Sequence, residues 1–172
     1  MNFLKSEFED IISHITKHYR RIVLLLVCFL SILAFRNNVA ERVVVSGDSM
    51  SGTYEDGYVL VSCKRGLDVI HRFDVVVVSY GRVKIIKRVI GLPGEVITIA
   101  DGVIYIDGVE VKGVYGYVPL GGSRFNSWLL SGDEFFLLGD NRESSKDSRD
   151  IGAVSSGQIK GKIIMQIFPF WK

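Results

Sequence analysis

The sequence predicts a mostly β protein, an antiparallel β-barrel or sandwich that follows one N-terminal transmembrane helix. Residues 22–35 read IVLLLVCFLSILAF, a run of 14 uncharged and mostly apolar positions. From Val43 onward the chain changes to short Val, Ile, Tyr and Phe runs separated by glycine, which is typical of a barrel or sandwich. We therefore expect an N-terminal amphipathic segment over 1–21, an anchor over 22–36 and a β-rich domain over 41–172.

The N-terminal region favours membrane attachment. Apolar side chains recur at helical spacing over 3–19, which predicts an amphipathic helix suited to a membrane surface. The apolar run spans about 21 Å as a helix, less than a hydrocarbon core of about 30 Å, but the flanking Arg20, Arg21 and Arg36 can snorkel. A cleaved signal peptide would have a shorter leading region, and a buried soluble helix would show a polar face. The excess of positive charge before the run places the N-terminus in the cytoplasm and the domain outside.

Turn signals delimit the strands of the second region. Segment 96–111 contains Asp101-Gly102 and Asp107-Gly108, and each pair favours a tight hairpin with positive φ. The segment is therefore predicted to be a three-strand meander. Further strands are predicted as a pair within 73–91 and singly within 134–141 and 161–171.

Composition argues against several classes of function. The chain has 21 Lys and Arg against 19 Asp and Glu, so a net charge of +2 indicates no nucleic-acid partner. Cys28 and Cys63 are far apart, and the spacings typical of metal sites, P-loops and dinucleotide sites are absent from the sequence. No metal or nucleotide cofactor is expected.

The stretch VVVSGDSMSGTY, residues 43–54, presents a serine at the end of an apolar strand. Gly47 and Gly52 flank Ser49 and allow other backbone to approach it closely, as around many nucleophilic serines. An ordinary loop is the alternative, because Ser and Gly dominate loops for conformational reasons. A nucleophilic serine needs an adjacent base, which must come from elsewhere in the chain.

Lysine is a better candidate for this base than histidine. His14 and His18 precede the predicted anchor, and His71 is more simply interpreted as a surface residue at the start of a strand. In VKIIKRVIG, period-2 alternation places Lys87 on the more apolar face of a strand. Burial lowers a lysine pKa and yields a neutral amine that can act as a general base, although a lysine can also snorkel from a sheet edge. Ser49 with Lys87 would form a Ser–Lys dyad.

A third patch follows the strand within 134–141. Residues 140–149 are ten consecutive polar or charged positions. Their chemistry alone favours a solvated loop, and the functional alternative is a hydrogen-bonded scaffold that holds the amine.

Taken together, the three patches resemble type I signal peptidases, membrane-anchored proteases that remove signal peptides from exported proteins. SGDSM is similar to the nucleophile box of that family, KRVIGLPGE to its lysine box and GDNRESSKDSR to its C-terminal box, in the same order. The similarity extends from about Val43 to Gly152, and the single short anchor fits the smaller bacterial members.

The resemblance implies roles for individual residues. Ser49 would be the nucleophile and Lys87 the general base of cleavage after small-x-small sites. Ser145 would hydrogen-bond and orient Lys87, while Asp147 and Arg149 would hold that corner together. The implied pockets for small −1 and −3 side chains of the substrate lie around Val45, Met50, Tyr54, Ile85 and Ile86.

Four positions depart from the family pattern. Gly47 stands where some members have a serine that donates to the oxyanion, so the oxyanion hole would depend more on backbone N–H groups, including that of Ser49. Gly52 replaces the usual proline, Phe73 stands where glycine is common, and Glu95 replaces an aspartate. None of these changes removes a catalytic group.

The resemblance implies no cofactor. The implied partners are the signal peptides of secreted preproteins, the lipid bilayer and the protein-export translocon. Alternatives are a peptidase dedicated to conjugative-transfer or pilus proteins, a mitochondrial inner-membrane peptidase, a self-cleaving repressor and a non-catalytic, membrane-anchored β-domain that binds peptides. The repressor is disfavoured because no DNA-binding motif precedes the dyad.

Overall fold

The computed structural model describes residues 16–32, 40–64, 69–113, 115–119 and 125–168. The chain divides into two compact units, Met1–Val39 and Ala40–Lys172. Most of the predicted amphipathic segment and the last residues of the predicted anchor lie outside the described residues.

The described part of the first unit is one helix. This helix, α1, covers residues 16–32, and every side chain along it is exposed. It includes most of the apolar run, from Ile22 to Ile32. None of the helices described here combines the length and the hydropathy needed to cross a membrane.

The described residues of the second unit form antiparallel strands and two short helical segments. Its larger sheet has seven strands in the order β1-β2-β11-β3-β4-β9-β10, and its smaller sheet has four in the order β7-β6-β5-β8. The strands are β1 Ala40–Val44, β2 Val59–Cys63, β3 Val75–Tyr80, β4 Val83–Gly91, β5 Val96–Ala100, β6 Val103–Ile106, β7 Val109–Glu110, β8 Phe125–Leu129, β9 Glu134–Leu138, β10 Val154–Ser155 and β11 Ile159–Phe168, with helix α2 at Ser148–Ile151 and a 3₁₀ helix at Ser156–Gln158.

The predicted mostly β class is confirmed, and its two-sheet form is correct. All the strand pairs that the structure describes are antiparallel. The closed-barrel alternative is wrong for the described residues, because β1 and β10 remain the two edges of the larger sheet.

The predicted meander forms as β5, β6 and β7. Asp101 and Asp107 both have φ of 49°, and the glycines that follow them have φ of 83° and 81°. Two successive residues in the left-handed region produce the tight turns that the Asp-Gly pairs favour. The strands predicted within 73–91, 134–141 and 161–171 also form, whereas β2, β8 and β10 were not predicted.

The two sheets pack on a shared apolar core. Its fully buried members include Ile90 from β4, Ile97 from β5 and Phe136 from β9. At Gly91 an added Cβ would lie 2.6 Å from the Ile97 side chain, so glycine is needed where the sheets approach. A second cluster, which contains Met50 and Ile86, lies beneath the serine loop and positions the site.

Candidate active site

The serine loop, residues 45–54, is held at both ends. Val45 continues the pairing beyond β1, because its N–H donates to the Tyr58 carbonyl at 2.8 Å. Gly47 has φ of +89°, which turns the chain sharply after the strand. Met50, which directly follows Ser49, is only 1% exposed and anchors the chain in the core on the other side of the serine. Ser49 therefore lies in a short segment between a turn and a buried anchor.

The structure brings Lys87 and Ser49 together. The Lys87 side chain is buried, at 3% exposure, and its Nζ donates to Ser49 Oγ at 2.8 Å and to the Ile86 carbonyl at 3.0 Å. Burial lowers the pKa of Lys87, and the negative charges of Asp147 and Asp140 offset only part of that effect. A buried amine within hydrogen-bond reach of a hydroxyl has the geometry of a general base beside its nucleophile.

Asp147 organises the corner next to this pair. It is fully buried, and its carboxylate accepts hydrogen bonds from the Gly139 N–H at 2.9 Å and from Arg149 Nε at 2.8 Å. Arg149 Nη2 also donates to the Arg142 carbonyl at 2.7 Å and to the Ser145 carbonyl at 3.3 Å. Asp147 and Arg149 thus form a hydrogen-bonded ion pair that holds this corner together, and their predicted role in holding the amine stays a prediction.

Ser145 lies beside the serine loop but does not bind the amine. A Cβ at Gly139 would overlap the Ser145 side chain and lie 2.5 Å from the Ser49 carbonyl oxygen, so both residues pack against that glycine. Ser145 Oγ is buried and has no hydrogen-bond partner among the described residues. Its orienting role therefore remains a prediction.

Backbone N–H groups near the serine differ in availability. The Gly47 N–H donates to Asp56 Oδ1 at 2.8 Å, so it is already engaged. The Ser49 N–H donates to no group in the described part of the chain. Of the two N–H groups, that of Ser49 is the one free to receive an oxyanion.

A groove of about 300 Å³ runs between β1 and β4 and ends at the Lys87–Ser49 pair. The outer edge of β1 and the first half of β4, residues 83–87, are unpaired on the groove side among the described strands. The groove is lined by Val45, Met50, Ile85 and Ile86, four of the residues that the resemblance assigns to the substrate pockets, and that assignment stays a prediction. Tyr54 does not line it and instead packs against the apolar cluster beneath the serine loop.

The sequence interpretation assigned no role to a second ion pair, between Arg88 and Asp140. Arg88 Nε and Nη2 donate to the two oxygens of Asp140 at 2.7 and 2.5 Å, and both side chains are 8% exposed. Thr53 Oγ1 adds a 2.6 Å hydrogen bond to Asp140, which ties the serine loop to this pair. Burial alone would lower the pKa of Arg88, but hydrogen bonding and charge from Asp140 raise it above the ordinary value. Arg88 directly follows Lys87 in KRVIGLPGE, and Asp140 begins the polar patch in GDNRESSKDSR. Their positions inside these two motifs are the sequence signal that could have pointed to them.

Comparison with known proteins identifies the family. The family model described as "Signal peptidase, peptidase S26" matches residues 17–170. The chain belongs to this family. Signal peptidase I of Bacillus caldolyticus is 35% identical over 150 residues, 77% of this chain and 81% of that protein. Signal peptidase I of Bacillus licheniformis is 31% identical over 165 residues, 88% of this chain and 87% of that protein.

A solved structure is also similar. Signal peptidase I from Enterococcus faecalis V583 is 27% identical and matches with a TM-score of 0.49 over 56% of this chain and 97% of that one. Family membership confirms the predicted class of enzyme, a serine protease that cleaves signal peptides. Signal peptidases are membrane-associated and act on the signal peptides of preproteins.

Three of the four positions that were expected to depart from the family pattern have visible structural features. Phe73 has φ of 72°, in the left-handed region that favours glycine, and its ring stacks on Tyr115 with centroids 5.0 Å apart. Gly52 has φ of +94°, which proline cannot adopt. Glu95 accepts two hydrogen bonds from Arg72, at 2.6 and 3.0 Å. The turn at Gly52 is therefore built differently from one that uses proline.

Proposed function

We propose that Ser49 and Lys87 are the catalytic dyad of this signal peptidase, which cuts exported preproteins after small-x-small sites. The 2.8 Å contact between Lys87 Nζ and Ser49 Oγ carries the proposal. Lys87 forms no ion pair within the described part of the chain, and its buried amine has a lowered pKa. Such an amine is neutral in a larger fraction of molecules than an exposed lysine and can therefore accept a proton.

Each proton in the cleavage has a defined acceptor. Ser49 Oγ attacks the scissile carbonyl carbon while its proton moves to Lys87 Nζ, and the Ser49 N–H donates to the resulting oxyanion. The Lys87 ammonium then protonates the leaving amine as the C–N bond breaks, which leaves an ester on Ser49. Water attacks the ester carbon and gives a proton to Lys87. Collapse of this second intermediate returns that proton to Ser49 and releases the signal peptide as a carboxylic acid.

The groove supports the choice of substrate. An extended peptide between the free edges of β1 and β4 gains backbone hydrogen bonds on both sides. Val45, Met50, Ile85 and Ile86 make the groove floor apolar near the dyad, which suits alanine-sized side chains at −1 and −3. Asp147 and Arg149 act as positioning residues, because they hold the 139–149 segment, whose Asn141 N–H donates to the Ser49 carbonyl at 3.1 Å.

The proposal includes a membrane topology. Residues 22–36 anchor the chain, residues 1–21 lie in the cytoplasm and residues 41–172 lie outside, where exported substrates emerge. The exposed apolar side chains along 22–32 support this arrangement. Protease added to intact cells should digest the domain and spare an N-terminal tag. The reverse pattern would refute the topology.

Cleavage of a preprotein with an Ala-x-Ala site by detergent-solubilised full-length protein tests the dyad. Ser49→Ala and Lys87→Ala should each lower kcat/KM by about 10⁴-fold or more. Ser51→Ala is the matched control, because Ser51 lies in the same loop. This variant should cleave the preprotein at nearly the normal rate. Full activity of a folded Ser49→Ala or Lys87→Ala variant would exclude the dyad.

A further inference from the structure

The far end of the groove is spanned by an ion pair. Lys84 Nζ donates to Glu41 Oε1 at 2.6 Å, and the two residues line opposite walls of the groove, on β4 and β1. In the sheet these two strands are separated by β2, β11 and β3. The ion pair therefore crosses the open groove and does not join side chains on hydrogen-bonded neighbouring strands. Both side chains are partly exposed, at 49% and 33%, and such a pair opens at little cost.

Positive charge predominates around this pair. Lys64 Nζ lies 3.7 Å from Glu41 Oε2, and Arg42 lines the groove next to Glu41. The hydrogen bond from Lys84 lowers the pKa of Glu41, with smaller contributions from the charges of Lys84 and Lys64, so Glu41 is ionised at neutral pH. Two lysines therefore contact one carboxylate and Arg42 lines the same groove, so these four side chains carry a net charge of +2 at this end.

The strand geometry assigns the pair to a particular part of the substrate. β1 leads from Glu41 toward Ser49, and β4 leads from Lys84 to Lys87, so the ion pair and the dyad occupy opposite ends of the groove. Lys84 and Lys87 are three strand residues apart, about 10 Å at a rise of about 3.3 Å per residue. An extended substrate whose −1 residue lies at Lys87 therefore has its −4 residue near Lys84.

We propose that Glu41, Lys84, Lys64 and Arg42 form a charge-selective subsite that favours an acidic over a basic substrate residue at −4. When the −4 side chain is acidic, Lys84 forms an ion pair with it instead of with Glu41, and Glu41 stays paired with Lys64. A basic side chain adds a fourth cation to the same end and must compete for the single carboxylate. This inference rests on the proposed function, because it assumes that upstream residues follow the groove.

Peptides that contain an Ala-x-Ala site and differ only at −4 (Glu, Gln or Lys) test the subsite. With full-length protein in non-ionic detergent at low salt, kcat/KM should be about 10-fold higher for Glu than for Lys. The ratio should approach one near 1 M salt, where the Debye length is about 3 Å. Lys84→Glu should reverse the preference, and Lys112→Glu, which makes the same charge change at an exposed residue outside the groove lining, should leave the ratio unchanged.

Binding of fluorescent versions of the same peptides to Ser49→Ala separates this inference from the dyad. If wild type cleaves none of the peptides but Ser49→Ala binds the Glu peptide more tightly than the Lys peptide, the subsite stands and the proposed function fails. A Glu-to-Lys ratio near one in both cleavage and binding would overturn the subsite. A ratio that Lys84→Glu does not change would also overturn it. Each ratio is measured on one protein preparation, so a partly folded variant does not obscure the result.

Discussion

Strand β4 buries two cations side by side and surrounds them differently. Counted over the whole residue, Lys87 is 3% and Arg88 6% exposed, and alternation along the strand points their side chains to opposite faces. Within the part of the chain that the structure describes, Lys87 donates only to a hydroxyl and a carbonyl. Arg88 donates twice to Asp140 and once to the Phe73 carbonyl, and its guanidinium lies 4.5 Å from the centre of the Tyr115 ring.

The difference separates the proposed general base, Lys87, from Arg88, a residue that stays charged and stabilises the fold. The surroundings lower the pKa of Lys87, mainly through burial, whereas Asp140 raises the pKa of Arg88 against the effect of burial. A general base must be neutral before it can accept a proton, so a carboxylate beside Lys87 would keep it protonated. Arg88 can neutralise the buried carboxylate of Asp140 only if the guanidinium stays charged. For the proposed base, the lack of a counterion among the described residues would favour catalysis at the expense of stability.

Replacing Lys87 should give the largest effect, with opposite signs for activity and stability. Lys87→Met keeps the apolar stem and removes the amine, so kcat/KM should fall about 10⁴-fold. At neutral pH the free energy of unfolding should rise, by about 1.4 kcal/mol for each unit by which folding lowers the pKa. Preprotein cleavage and urea unfolding of the same samples check both effects.

The sign of the pH dependence sharpens this test. Because folding lowers the pKa of Lys87 from 10.5, the unfolded chain binds more protons in the window below 10.5, and wild-type stability rises with pH there. The stabilisation by Lys87→Met should therefore shrink as the pH approaches 10.5. Lys112→Met, at an exposed lysine, is the control and should show no such trend. A Lys87→Met variant that is less stable than wild type at pH 7 would contradict the unpaired-cation interpretation.

Removing Arg88 should have the second largest effect, this time on stability. Arg88→Met leaves Asp140 buried without its counterion, which should lower the free energy of unfolding by about 3–5 kcal/mol. The double variant Arg88→Met/Asp140→Asn should lose less than Arg88→Met alone, because no unbalanced charge remains. Denaturant unfolding of wild type, of the single variants Arg88→Met and Asp140→Asn, and of the double variant measures the coupling. Additive losses would mean that the two side chains are not paired in solution.

The two cations also show what the sequence could predict. Period-2 alternation within VKIIKRVIG was enough to place Lys87 on the apolar face, and the structure buries it there. The burial of Arg88 could not be read from the strand, because its partner Asp140 is 52 residues away. Local patterns report which face a residue takes, whereas burial of a charge depends on a partner that only the tertiary fold supplies.

The polar patch after β9 was harder to interpret for the same reason. Its composition favours a solvated loop, but Asp147 and Ser148 are fully buried. Ser148 Oγ accepts the Leu137 N–H at 2.9 Å, and Asp147 caps α2 through a reciprocal arrangement with Asp150. The Asp-x-x-Asp spacing is a local signal from which the start of α2 could have been predicted, whereas the bonds that Asp147 and Ser148 accept from β9 and Gly139 depend on the tertiary fold.

Phe73 offers the smallest test, and one that bears on how Arg88 is held. Because φ is 72° at this position, alanine should be strained there and glycine should not. Phe73→Gly and Phe73→Ala both lose the stacking on Tyr115, yet the glycine variant should be more stable by about 1 kcal/mol. Thermal and urea unfolding can resolve that order, which is the reverse of the order expected in a regular strand. An alanine variant as stable as the glycine variant would mean that residue 73 leaves the left-handed region. In that variant the carbonyl of residue 73 would lose the orientation in which, in the wild type, it accepts the 2.7 Å hydrogen bond from Arg88 Nη1.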